Sequence, residues 1–169
     1  MRFHFFASVK ALVSNTIILA GLIFSKDLHA QYNFTTIDPP GSTGTQIGDI
    51  SNSGVIVGFY QSSSGRHGFK FSGGVYTDID VPFGQNTQAF GINDAGQIVG
   101  FYATQDGRRH GFLLSSGVFT SIDYPGALHS QLYGINNSGQ IVGSYEGTSG
   151  ISSAFRLSGG VFTTIDVPG

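Results

Sequence analysis

The sequence predicts an all-β protein made of repeated four-stranded antiparallel units, and three observations support this fold class. A phrase close to Gly-Ile-Asn-x-x-Gly-Gln-Ile-Val-Gly occurs three times, and its valines, Val57, Val99 and Val142, are 42 and 43 residues apart. Each unit holds short runs of β-branched and aromatic residues. Turn residues separate these runs. A unit of about 43 residues with four strands has the size of a β-propeller blade.

The middle unit shows how the four strands are predicted. We expect strands at residues 88–93, 97–102, 110–114 and 118–123, with Phe90 and Ile92 on one face of the first strand. Residues 93–96, Asn-Asp-Ala-Gly, suit a hairpin turn because Asx and glycine residues tolerate positive φ. Such hairpins favour a propeller-like meander over the alternative, a parallel β-helix. The turn residues predicted in the three units are Asn52, Gly54, Asn93, Gly96, Asn136 and Gly139.

Glycines also recur inside the predicted strands. They occupy equivalent positions of the second strand at Gly58, Gly100 and Gly143, and of the third strand at Gly68 and Gly111. Glycine weakens an isolated strand, so a fixed position for it indicates a close backbone approach. We therefore expect the backbones of stacked sheets to come close at these glycines.

The domain organisation follows from the repeat. We expect a β-repeat domain at residues 31–169, with units at about 45–82, 87–125 and 130–168 and one extra N-terminal strand at 33–38. Three blades and a strand fall short of the roughly four to eight blades that close a propeller. The alternatives are a fragment of a longer array, an open arc or partial propeller, or self-association of two chains to complete a ring.

The first 30 residues differ in character from the rest of the chain. Arg2 and Lys10 precede an apolar run at 11–24, and a polar tail ends at Ala30. This is the layout of a secretory signal peptide, with cleavage expected before Gln31. The alternative is a retained membrane anchor, but the apolar run is short against the roughly 20 residues that span a bilayer. The sequence therefore predicts an exported protein, extracellular or periplasmic, with no membrane span after cleavage.

Composition narrows the range of partners and chemistry. The net charge is −2 and only 11% of residues are charged, so nucleic acid is not expected as a partner. The one basic pair, Arg108 and Arg109, is expected in a solvated loop. The chain has no cysteine, which excludes disulfides, thiol nucleophiles and thiolate metal sites.

The repeated phrases carry a resemblance to a known family. The run at 134–143 reads Gly-Ile-Asn-Asn-Ser-Gly-Gln-Ile-Val-Gly, with a near-identical copy at 91–100 and a looser one at 48–58. A second phrase appears as His-Gly-Phe at 67–69 and 110–112, and as Ser-Ala-Phe at 153–155. With these phrases the mature chain resembles the HAF repeat family of extracellular proteins. The resemblance implies export and repeat architecture but no reaction. Ser153 departs from the family's histidine, so that histidine is not required in every unit.

Four aspartates stand at one position of the unit, just before a proline-containing turn: Asp38, Asp80, Asp123 and Asp166. We expect each one to cap its own turn. The alternative is a ring of carboxylates that binds Ca²⁺ or sugar hydroxyls. For His67 and His110 we expect a hydrogen bond to a loop carbonyl, with a metal pair as the alternative.

No catalytic, metal or cofactor site is predicted. Glu146 is the only glutamate, and no partner carboxylate stands at a defined spacing from it, as glycoside hydrolysis would require. A Ser-His-Asp triad could be drawn from several serines, but no nucleophile-elbow pattern is present. Four tyrosines could stack on sugars, but they recur at strand ends, where tyrosine is commonly a core residue with its hydroxyl in water. They are Tyr60, Tyr102, Tyr133 and Tyr145.

The function predicted is therefore that of an exported, non-catalytic binding or surface-interaction module, with a glycan or a protein as the ligand. Its recognition surface is expected in the loops that differ between units, at 61–66, 103–109 and 146–152. The alternatives are a lectin-like carbohydrate binder and a secreted hydrolase. The candidate binding residues are Asp80, Asp123, Asp166, Arg66, Arg108, Arg109 and Glu146.

Overall fold

The computed structural model describes residues 16–19, 22–25 and 32–165. Residues 1–36 and 37–169 form two separate compact units. In the first unit, β1 (Thr16–Leu19) and β2 (Leu22–Ser25) pair as an antiparallel hairpin. The predicted signal peptide, residues 1–30, lies mostly outside the described residues and stays a prediction.

The second unit consists of three four-stranded antiparallel sheets that follow one another along the chain. The first sheet contains β3 (Gly44–Ile50), β4 (Ile56–Ser62), β5 (Gly65–Ser72) and β6 (Val75–Ile79). The second contains β7 (Gln85–Ile92), β8 (Ile98–Ala103), β9 (Arg109–Ser115) and β10 (Val118–Ile122). The third contains β11 (His129–Ile135), β12 (Ile141–Glu146), β13 (Ser152–Ser158) and β14 (Val161–Ile165). Neighbouring strands in sequence pair in space, and the sheets do not close into a barrel. This confirms the predicted all-β repeat fold as an open, partial propeller.

The turns between the first two strands of each sheet are those the sequence predicts. Gly54, Gly96 and Gly139 have φ of +80°, +75° and +75°, a conformation that glycine adopts without strain. Each glycine N–H donates to the carbonyl three residues earlier, on Ser51, Asn93 and Asn136. The first unit therefore begins its turn at Ser51. Asn52, a predicted turn residue, is the second residue of this turn, at the position that Asp94 holds in the next sheet.

A β-bulge in the first strand of every sheet overturns one detail of the prediction. The strand register shifts at Gly48, Phe90 and Tyr133. In the second sheet this shift places Ile92 with Ile98 in the core against the first sheet. Phe90, the inserted residue, is not part of this core, and its ring centroid lies 5.5 Å from that of Phe101 and 5.6 Å from that of Phe59 in the first sheet. Phe90 and Ile92 do not share a face, because the inserted residue breaks the two-residue alternation of a strand.

Two apolar cores hold the three sheets together, one at each junction. At the first junction Val57 of β4 is fully buried with Ala89, Ile92 and Ile98 of the second sheet. At the second junction the equivalent Val99 of β8 is fully buried. Its core partners there are Leu132, Ile141 and Phe155 of the third sheet. The same position of the repeat therefore provides the contact at both junctions.

The connectors between sheets complete these cores. Val81, which follows β6, is 2% exposed and packs in the first core with Tyr102 and Phe112. Tyr124, which follows β10, stacks on Tyr145 of the third sheet with ring centroids 3.7 Å apart. Each connector thus places one apolar side chain on the sheet that it leads into.

The extra N-terminal strand predicted at 33–38 is wrong. Residues 32–39 form no strand, and Phe34 is 93% exposed. The equivalent strands β6, β10 and β14 each pair with the third strand of their own sheet, and no described strand pairs with residues 33–38. Pro39 is nevertheless buried and lines a cavity with Tyr60 and Tyr76 of the first sheet. It occupies the position of the repeat that Val81 and Tyr124 fill at the later sheets.

The second-strand glycines act within a sheet, contrary to the prediction, whereas at the third-strand glycines Gly68 and Gly111 a Cβ would meet both a carbonyl oxygen of its own sheet and a side chain of the next sheet, Thr87 or Leu132. A Cβ at Gly100 would overlap the carbonyl oxygen of Gln88 and meet the Phe112 ring, both in its own sheet. Gly58 and Gly143 have equivalent neighbours. Only at Gly48 and Gly91, in the first strands, would a Cβ meet the backbone of the next sheet, at 2.7 Å and 2.9 Å. The second-strand glycines make room for a phenylalanine ring of the third strand.

A ladder of hydrogen bonds joins the turns of neighbouring sheets. The backbone N–H of Asn52 donates to Asp94 Oδ1 at 2.9 Å, and its side-chain amide donates to Asp94 Oδ2 at 2.7 Å. The N–H of Asp94 in turn donates to Asn137 Oδ1 at 2.9 Å, and Asn137 Nδ2 donates back to Asp94 Oδ2 at 2.7 Å. These donated hydrogen bonds, first those from Asn52, lower the pKa of Asp94 below its usual value.

We predict that the Asp94→Asn variant is less stable than the wild type near neutral pH. The amide introduced at position 94 would present an NH₂ group to N–H donors of Asn52 and Asn137, which hydrogen-bond a carboxylate in the wild type. Because the folded pKa of Asp94 is depressed, its stabilisation is present above the unfolded pKa and is lost as pH falls through the folded pKa. The difference in urea midpoint between wild type and variant should therefore shrink below about pH 4. Asp38→Asn, at an exposed carboxylate before the first sheet, is the control. An equal difference at pH 7 and pH 3 would contradict the assignment.

Candidate functional site

The loops and connectors of all three sheets lie at one end of the strands, which we call the loop face. It comprises the connections at 63–64, 80–84, 104–108, 123–128 and 147–151. The strand register places them together, since Ser62 pairs with Gly65, Gly68 pairs with Ile79, and Gln85 pairs with Ala103. The loops predicted to carry recognition belong to this face. They are shorter than predicted, because residues 61–62, 65–66, 103, 109, 146 and 152 extend the strands.

The repeated histidines and aspartates form pairs on this face. His67 Nδ1 lies 2.7 Å from Asp80 Oδ2, and His110 Nδ1 lies 2.8 Å from Asp123 Oδ2. Each histidine ring also lies on a tyrosine, Tyr60 or Tyr102, at centroid distances of 5.3 Å and 5.5 Å. This pairing was not predicted from the sequence, because it depends on the register between the third and fourth strands of each sheet. The expected histidine bond to a loop carbonyl is wrong.

The aspartates do not cap their own turns, so that prediction is also wrong for the first two units. The N–H of Val81 donates instead to the Thr87 hydroxyl, and the N–H of Tyr124 donates to the Ser130 hydroxyl. Thr87 and Ser130 are each 1% exposed and belong to the first strand of the following sheet. Asp166, the equivalent residue of the third unit, lies outside the described residues.

The first unit adds a serine to its His–Asp pair. Ser64 Oγ, at the tip of the β4–β5 hairpin, lies 2.8 Å from His67 Nε2. Ser64, His67 and Asp80 line a cavity of about 260 Å³ with Arg66 and Asn86. The order of hydrogen bonds, serine to histidine to aspartate, is that of a nucleophile, a base and an orienting carboxylate.

A second cavity, lined by strand residues next to the loop face, holds two arginines, and we call it the two-arginine cleft. It has a volume of about 230 Å³ and is lined by Arg66, Asn86, Gln88, Phe101, Ala103 and Arg109. The guanidinium carbon of Arg66 lies 5.9 Å from the Phe59 ring centroid, and that of Arg109 lies 5.9 Å from Phe101. Cation–π contacts of this kind hold a guanidinium group without neutralising its charge.

The backbone beside each arginine is fixed by the next sheet. The N–H of Arg66 donates to Asn86 Oδ1 at 3.1 Å, and the N–H of Arg109 donates to His129 Nδ1 at 3.1 Å. Asn86 has a φ of +52°, which asparagine tolerates better than most residues, and the β7–β8 register shifts beside it. Sequence analysis missed Asn86, Gln88 and His129, since only the stacked sheets bring them to the arginines.

The remaining candidate residues have other surroundings. Arg108 is exposed in its loop, as predicted, and pairs with Asp106 at 3.3 Å. Hydrogen bonds from the Thr104 hydroxyl and the Arg108 N–H lower the pKa of Asp106. Arg109 belongs to β9, so the basic pair is divided between a loop and a strand. Glu146 is half-buried at the end of β12, opposite His129 in the register.

The tyrosines proposed for sugar stacking are mostly core residues. Tyr60 and Tyr102 are 9% and 4% exposed, and Tyr145 stacks on Tyr124. Burial is the main cause that raises the pKa of Tyr60 to about 12. The hydrogen bond to Asp78 and the negative charges of Asp78 and Asp80 contribute to the same increase. Tyr133 is the exception, with 42% of its surface exposed.

Within residues 32–165, no group of three or more His, Asp or Glu side chains could hold a metal ion. No helix in the described part of the chain is long and apolar enough to cross a membrane. Comparison of the chain with protein-family models, curated proteins and solved structures gave no match.

Proposed function

We propose that the protein is an exported, non-catalytic binding module whose ligand is an acidic glycan, bearing carboxylate or sulfate groups, held in the two-arginine cleft. Export rests on the sequence pattern of residues 1–30 and on the resemblance to the HAF repeat family. N-terminal sequencing of the mature protein, expected to begin at Gln31, tests the export step.

The observation that carries the proposal is the convergence of Arg66 and Arg109 on one cleft. Neither guanidinium lies within ion-pair distance of a carboxylate among the described residues. A planar guanidinium donates two parallel hydrogen bonds to a carboxylate or sulfate group. The amides of Asn86 and Gln88 add donors and acceptors for sugar hydroxyls, and Phe101 supplies an apolar floor. The chain as a whole carries a net charge of −2, so this positive site is local.

We predict that replacing both arginines weakens binding of an acidic oligosaccharide at least tenfold. A charge-assisted hydrogen bond contributes roughly 1.5–3 kcal/mol, and about 1.4 kcal/mol is a factor of ten in affinity. The variant is Arg66→Gln with Arg109→Gln, measured by calorimetry with a sulfated and a uronic-acid oligosaccharide. Wild-type binding should weaken with added salt, which screens exposed charges.

Arg108→Gln is the matched control, because Arg108 is next in sequence to Arg109 but pairs with Asp106 in its loop. The control should bind like the wild type. A neutral oligosaccharide of the same length should bind no better to the wild type than to the double variant. Equal affinity of wild type and double variant for both acidic probes would contradict the proposal.

Ser64 supports a second candidate function, ester hydrolysis. Ser64 Oγ would attack a carbonyl carbon while its proton passes to His67 Nε2, and Asp80 would hold the imidazolium. The alcohol would leave with that proton, and water would then cleave the acyl-serine. We rank this second because the pair of His110 and Asp123 recurs in the next unit as part of the repeat.

The Ser64→Ala variant decides between the two functions. A hydrolase should cleave p-nitrophenyl butyrate, and Ser64→Ala should remove the activity while the adjacent, exposed Ser63→Ala keeps it. We expect no turnover above the buffer rate in the wild type, which would leave His67 and Asp80 as a structural pair. Turnover that depends on Ser64 would overturn the non-catalytic assignment.

A further inference from the structure

The two outer sheets leave apolar positions exposed that the inner junctions bury. On the face of each sheet that points toward the next sheet in sequence, Val57 and Val99 are 0% exposed, whereas Val142 is 45% exposed. Ile79 is 4% exposed on that side, and its equivalent in the third sheet, Ile165, is 49% exposed. We call the exposed side of the third sheet the forward face.

The opposite side of the first sheet shows the complementary pattern. Ala89 and Leu132 are 0% exposed where they receive the preceding sheet, whereas the equivalent Ile47 is 51% exposed. Ile92 is 5% exposed, and its equivalent Ile50 is 59% exposed. We call this exposed side of the first sheet the backward face. It carries the side-chain types that pack against valine at the formed junctions.

The turn ladder also stops at these two faces. At both formed junctions a turn N–H donates to Oδ1 of the next turn. Among the described residues, no acceptor reaches the N–H of Asn137 at the forward end, and no donor reaches Oδ1 of Asn52 at the backward end. If a forward face packs against a backward face, the N–H of Asn137 and Oδ1 of Asn52 each gain the hydrogen-bond partner that the equivalent groups have at the formed junctions.

The details of the two faces agree with such a junction. Pro39 already lies buried against the first sheet, at the position where Val81 and Tyr124 complete the other junctions. Arg156 pairs with Val142 in the register and places a positive charge beside it. Lys70 holds the same place beside Val57 at the first junction, where it lines a cavity with Asp94. A basic residue at this position is therefore compatible with a formed junction.

We propose that the partner of these faces is a second copy of the chain, with the forward face of each copy packed on the backward face of the other. A junction between unlike faces is heterologous and forms a ring if the rotation closes. Propellers close with about four to eight blades. Three four-stranded sheets within residues 44–165 of each copy therefore give a ring of six from two copies, and no other number of copies falls in that range.

The experiment measures the solution mass of the purified protein and of two single variants by light scattering. Val142→Glu disables the forward face, and Ile47→Glu disables the backward face. The wild type should have the mass of two chains, and each variant alone should have the mass of one. Mixed in equal amounts, the variants should form a one-to-one dimer, because each keeps the face that the other lacks.

Val75→Glu is the matched control. Val75 and its equivalents Val118 and Val161 are 63%, 64% and 65% exposed in all three sheets, so this position belongs to no junction. The Val75→Glu variant should stay dimeric. Circular dichroism should show that all three variants are folded, since every substituted side chain is exposed. A wild type with the mass of one chain, or one that forms open polymers, would overturn the proposal. So would association that survives in one single variant, because that result would mean that like faces pair.

Discussion

The packing of one valine from each sheet against the next sheet is the contact on which the rest of the structure depends. Val57 and Val99 are fully buried at the two junctions, each among apolar side chains of the following sheet. A single four-stranded sheet has no second layer to cover its apolar face, and the chain has no cysteine for a disulfide. Stability must therefore come from stacking, as in other repeat proteins, where each unit depends on its neighbours.

The stack also creates the candidate site. Arg66 and Arg109 are 43 residues apart in sequence and meet at one cleft because their sheets are neighbours. The backbone of each arginine is bonded to a side chain of the following sheet, Asn86 or His129. The repeat therefore supplies the position of the arginines, and the residues that vary between units supply the chemistry. Ser64 is an example, since its hydroxyl lies against the histidine of the first His–Asp pair, whereas in the second unit the Ser121 hydroxyl donates to the aspartate.

The repeat, the four strands of each unit and the hairpin turns could be predicted because they depend on local patterns. Glycines with positive φ such as Gly96 and alternating apolar residues are visible within a few positions of one another. The bulge at Phe90 could not be predicted, because one inserted residue leaves no signal in the composition of the strand. It nevertheless reverses the face on which the later residues of that strand lie. The pairing of His67 with Asp80 depends on register across two strands, and the two-arginine cleft depends on contact between sheets. The absence of a strand at 33–38 has a similar cause, since strand formation requires a neighbouring strand to pair with as well as a suitable sequence.

Thiol labelling at one repeated position tests the central claim most directly. The chain has no cysteine, so Val57→Cys, Val99→Cys and Val142→Cys each introduce a single thiol at the same place of the repeat. Labelling is measured at a dilution that keeps the chain in single copies. If stacking alone decides burial, the thiols introduced at positions 57 and 99 should resist the reagent until the protein unfolds, and the thiol at position 142 should react at once. Equal labelling rates at the three positions would contradict the stacked arrangement.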